Sequence, residues 1–83
     1  MHAADILPDD INNATLNGIS VRKGTVGAFL ANARVWVDPL TPTNERTAAG
    51  NDIVDALPAL RALGLFDLLE IRDAALQALV DSH

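Results

Sequence analysis

Arg22, Lys23, Gly24 and Thr25 run directly into a stretch of helical periodicity, and their types and spacing suit anion binding. Free backbone N–H groups at a helix start, the positive end of its dipole and two cations together suit a phosphate or a carboxylate. The order is not that of a Walker motif, which needs a longer glycine-rich loop with its lysine at the end of the turn. The plainer account of the same residues is a capped turn whose cations balance Asp67, Glu70 or Asp73. That account is the default, because charged surface groups are more often structural than functional.

Carboxylates recur at a spacing of three in two places, Asp52 with Asp55 and Asp67 with Glu70 and Asp73. On a helix such pairs share a face, where they can do acid–base work or hold a hard cation, although a working site needs further ligands. A solvated acidic face is the ordinary meaning of such a run. His2 and His83 stand at opposite ends of the sequence, in segments expected to fray, so neither is expected to act as a ligand or a base. Ser20 and Ser82 have no neighbouring base and no nucleophile elbow. No catalytic residue, metal site or cofactor is expected, and the protein is read as a non-enzyme.

Bulk properties narrow the classes further. Eighty-three residues suffice for a single domain. The net charge is −5 and the sequence pI about 4.6. That balance argues against nucleic acid, whose phosphates require a Lys/Arg-rich face, and against an anionic membrane surface. The absence of Cys rules out a disulfide framework and thiolate chemistry. Small secreted domains usually carry disulfides, so a cytoplasmic setting is expected. Residues 1–10 lack the basic start of a signal peptide, and no apolar run approaches the ~18 residues needed to span a bilayer. The hydrophobic fraction, 49%, is high for so small a chain. Part of it is therefore expected at an interface with a second copy, as a homodimer, or with another protein.

The elements that must position these residues follow from periodicity. Residues 1–14 carry Pro8 and a cluster of Asp and Asn, and read as a flexible or loosely docked arm. Asn17-Gly18 lies between short alternating segments, the pattern of a β-hairpin over Thr15–Arg22. Thr25 is the expected N-cap of a central helix over Val26–Val37. Val26, Phe29, Leu30, Ala33 and Trp36 or Val37 form its inward stripe at helical spacing. The opposite side, Gly27, Ala28, Ala31 and Val35, is also apolar. A helix apolar nearly all round needs covering nearly all round. Gly27 costs about 1 kcal/mol against Ala inside a helix, which suggests a backbone approaching closely there. Gly27, Ala28, Ala31, Val35 and Trp36 are thus the candidate interface.

Pro39 and Pro42 mark a loop. A second helix is expected from about Glu45 to about Ala56, with its early half exposed and with a kink or a fresh start at Leu57–Pro58. Gly64 is expected as its C′ residue. Leu65–Ile71 groups Leu65, Leu68 and Leu69 when read as a helix, with a strand as the alternative. Asp73 would cap a last helix with a stripe of Ala75, Leu76, Leu79 and Val80. The fold class expected is mainly α, three to four helices with a short N-terminal hairpin. An α+β arrangement with Leu65–Ile71 as a strand is the alternative.

The run Arg22–Ala33 (RKGTVGAFLANA) and the run Leu57–Asp67 (LPALRALGLFD) resemble a group of small uncharacterised bacterial proteins. That group has no established activity. The resemblance implies a bacterial cytoplasmic setting and carries over no functional residue.

Overall fold

Residues 13–16, 19–22 and 24–83 are described by a computed structural model, with side chains from Gly24 onward. A hairpin of β1 (Asn13–Leu16) and β2 (Ile19–Arg22) leads into α1 (Thr25–Val37), α2 (Thr43–Leu63), α3 (Leu65–Leu68) and α4 (Ala74–Asp81). The architecture is mainly α, a small helical domain with a short N-terminal hairpin, as the periodicity predicts. The strands pair antiparallel with Leu16 opposite Ile19 and Asn13 opposite Arg22, a register that brackets Asn17-Gly18. The expected N-terminal arm lies outside the described residues, except that Asn13 and Ala14 belong to β1 and not to an arm.

The long helix α2 is the spine. Its buried residues Ala49, Gly50, Ile53, Leu57 and Leu60 follow helical spacing along one side. Against them lie Phe29 and Ala33 of α1 and Leu76 and Val80 of α4, with Val26, Trp36, Leu65, Phe66 and Ile71 at the rim. Phe29 and Phe66 meet edge to face with ring centroids 5.9 Å apart. Ile53, Leu57 and Leu60 are the largest fully buried side chains. Burial of each contributes roughly 1.5–3 kcal/mol as an upper figure.

Several expectations about α2 are corrected. It starts at Thr43, with Pro42 at the N-cap, and runs unbroken through Pro58 to Leu63, with no fresh start. Its early half is exposed at Arg46, Thr47, Ala48, Asn51 and Asp52 as expected, but Ala49 and Gly50 within it are buried against α1. Pro58 is tolerated because it points to solvent and because packing on both sides of it holds the flanking turns. Its ring still crowds the Val54 carbonyl and denies it an N–H partner. Replacing Pro58 by Ala is therefore expected to stabilise the domain by about 1 kcal/mol, after allowing for the looser unfolded chain. Thermal denaturation checks this, and an unchanged or lower midpoint would contradict it.

Gly64 ends α2 as expected. It has φ 80° and ψ 19°, left-handed geometry that an L side chain resists, and its N–H donates to the Arg61 carbonyl at 3.0 Å. The strand alternative for Leu65–Ile71 is overturned: Leu65–Leu68 form the single-turn helix α3, and the residues that follow, beginning with an extended Leu69, belong to no strand. The reason lies in Gly64, which turns the chain so sharply that one helical turn forms at once, Asp67 N–H donating back to the Gly64 carbonyl. Leu65 and Phe66 reach the core, whereas Leu68 and Leu69 are 86% and 59% exposed, against the grouping expected from spacing. Asp73 caps α4 as predicted, its Oδ1 accepting from the Leu76 N–H at 2.8 Å. Leu76 and Val80 are buried and Leu79 is partly so, while Ala75 faces solvent.

Candidate interaction surface

The residues that place α1 on α2 are not those marked by the sequence. Gly50, in mid-α2, lies so close to Trp36 that an added Cβ would sit 3.1 Å from the indole Nε1 and 3.2 Å from Cδ1. Arg46, one turn earlier, stacks its guanidinium over the same ring, Cζ being 4.1 Å from the centroid. Its Nε also donates to the Trp36 carbonyl at 3.0 Å. Thr41 Oγ1 donates to the Val35 carbonyl at 2.7 Å, and Asp38 Oδ1 accepts from the Leu40 N–H. Thr41 and Arg46 thus satisfy two carbonyls that the C-terminal end of α1 leaves without helical partners. The stacked cation adds an attraction of roughly 0.5–1 kcal/mol at such a surface. Trp36 is half-buried in this seam and packs on the core, so of the five candidate interface residues it belongs to the inner contact.

The other four stand outside. Gly27, Ala28, Ala31 and Val35 are all exposed. The close approach expected at Gly27 is not made among the described residues, since a Cβ there would meet nothing within 4 Å. Leu30, expected inward, is 53% exposed, and Val37 is 40% exposed. The burial at Phe29 and Ala33 explains this: it points the helix so that Gly27, Ala31 and Val35, four apart, run down the side away from α2. Arg34 is the one charged residue of α1 itself, and it is exposed. Exposed Leu30 was the residue missed. Its one available signal was an angular position at the edge of the inward stripe.

The candidate anion site is less assembled. Gly24, exposed, takes the N-cap position of α1, and Thr25 is the first helical residue, with no side-chain cap bond. The Thr25 cap is therefore corrected: the Ala28 N–H donates to the Gly24 carbonyl, so the helix starts one residue earlier. Arg22 lies at the end of β2, its side chain outside the described set, as is Lys23 altogether.

The acidic strip does not form as a strip. Asp67 is in α3, Glu70 lies in the connector and Asp73 caps α4, so no one helix carries them. Asp52 and Asp55 are exposed on α2. Among the described residues no three His, Cys, Asp or Glu are grouped to hold a metal ion. Ser82 Oγ donates to the Ala78 carbonyl at 2.7 Å, and the His83 Nδ1 lies 3.1 Å from the Leu79 carbonyl. Both residues are tied to the last turn of α4 instead of fraying. No described helix is long and apolar enough to cross a membrane. Compared with known protein families, with curated proteins and with solved structures, the chain matches none.

Proposed function

We propose that the protein is a non-enzymatic interaction module that pairs with a second copy of itself, or docks on another protein, through the outer side of α1. The observation that supports this reading is one helix with an apolar residue on every side and, among the described residues, an intramolecular covering on only one. Gly27, Leu30, Ala31 and Val35 face outward, and the open space over Gly27 leaves room for a neighbouring backbone. Apolar side chains left together in this way favour association, because bringing them out of water is worth roughly 25 cal/mol per Å². A cytoplasmic setting goes with the reading, supported by the lack of Cys. So does the absence of a nucleic-acid or membrane partner, supported by the acidic balance.

Light scattering after gel filtration of the full chain tests it. The expected result is a mass above the 8.8 kDa of one chain that rises with concentration. Replacing Ala31 by Arg, in the middle of the outer side, is expected to return the protein to the monomer mass with an unchanged far-UV circular dichroism spectrum. A parent protein that stays monomeric over a wide concentration range would defeat self-association. An Ala31→Arg variant that associates as well as the parent would remove α1 from the interface.

A further inference from the structure

We propose that α4 is a strap that lifts from the domain as one unit, alternately covering and uncovering an apolar face built by α1 and α2. This device is separate from the outer side of α1 and does not depend on it.

Four observations carry it. First, α4 is eight residues long, too short to persist as a helix away from its neighbours, and it buries only Leu76 and Val80. Second, its connector has few ties. Of Leu69–Asp73, only Ile71 packs on the core, and the other four residues are exposed. The backbone is extended at both ends of that connector, φ −125° and ψ 140° at Leu69 and φ −79° and ψ 120° at Asp73. Rotation at those two positions carries α4 away without disturbing α2 or α3.

Third, an open groove of about 560 Å³ runs along one flank of α4, walled by Arg61, Phe66, Ile71 and Val80. Val80, 4% exposed, is buried where α4 meets the core, with the groove beside it. Fourth, the polar link from α2 is concentrated in the Arg61 side chain. Its Nη2 donates to the Val80 carbonyl at 3.1 Å and its Nη1 to the His83 main-chain oxygen at 3.0 Å. Two prongs of one guanidinium thus hold the C-terminal end of the strap, where a cation also suits the helix dipole.

What the strap covers is the face around Phe29, Ala33, Leu57 and Leu60, to which Leu76 and Val80 present apolar groups one helical turn apart. In the closed state α4 thus completes the core over that face and is latched there by Arg61. Sub-global openings of this kind are drawn from the least attached elements of a fold.

Native-state hydrogen exchange on the full chain, read residue by residue by NMR, tests this. Amides of Gln77–Val80 are expected to exchange at least about tenfold faster than those of Ile53–Leu57. Replacing Arg61 by Lys keeps the charge and removes the fork. It is expected to speed α4 a further roughly threefold or more while leaving the α2 amides unchanged. Asp73→Ala, which removes the cap from the other end, is expected to act on the same amides alone. Equal protection of α4 and α2, or rates in both helices that rise together in either variant, would overturn the strap.

Discussion

Replacing Leu60 by Ala is expected to lower the stability of this domain by about 2–5 kcal/mol, since a fully buried leucine loses its transfer energy and leaves a cavity. Leu60 is 0% exposed and sits where α1, α2 and α4 share one core. A chain of this length has a total stability of about 4–12 kcal/mol, so the loss takes a large fraction of it. The thermal midpoint of so small a domain moves roughly 4–8 °C per kcal/mol, which puts the expected fall at about 10 °C or more. Leu40→Ala is the matched comparison, because Leu40 is 87% exposed in the loop after α1. Its effect is expected within about 0.5 kcal/mol of zero. Circular dichroism melts of the two variants decide the matter, and a Leu60→Ala midpoint within a few degrees of the parent would mean that the core is elsewhere.

The second large effect is expected at Gly50. A Leu side chain there must displace the Trp36 indole, which already lies 3.1 Å from where the first added carbon would sit. Overpacking of a close helix contact costs about 1–3 kcal/mol. Loss of the glycine returns about 1 kcal/mol of helix propensity, so Gly50→Leu is expected to be net destabilising but less so than Leu60→Ala. Displacement of the ring from beneath Arg46 also changes the fluorescence of the sole tryptophan. Gly27→Ala separates space from propensity, because nothing lies within 4 Å of its added Cβ. That change is expected to raise stability by up to about 1 kcal/mol. If both glycine variants shift the melt in the same direction, the tight seam at Gly50 is not real.

The contrast between those glycines shows how far the sequence could be read. A glycine inside a helix does mark a close approach in this domain, at Gly50 of α2 and not at Gly27 of α1. Gly27 stood out because it lay among strongly apolar neighbours. Gly50 was masked by the polar residues around it: Thr47, Asn51 and Asp52 are exposed, and Arg46 lies over the Trp36 ring, while Ala49 and Gly50 are buried against α1. Phe29, Ala33, Ile53, Leu57 and Leu60 were legible because helical spacing alone selects them. Leu30, Leu68 and Leu69 were not, since a hydrophobic residue at the edge of a stripe falls inward or outward according to which neighbour arrives. The cap at Asp73 and the left-handed Gly64 are local chemistry and read directly. The unbroken passage through Pro58 is not local, because burial of Ile53, Leu57 and Leu60 on either side of it overrides what the proline alone would do. The four small outer residues of α1 were placed together as expected, whereas Arg61 looked like an ordinary surface charge until the end of α4 came to lie within its reach.

The two-sided character of α1 has a consequence for how such a molecule changes over generations. Phe29, Ala33 and Trp36 fasten the helix to its own chain, while Gly27, Ala31 and Val35, four residues apart, touch none of those fastenings. Substitutions on the outer line are therefore screened by what the protein meets, and substitutions on the inner line by whether it folds. Under the proposed reading, partner choice and foldedness drift independently along a single helix of thirteen residues.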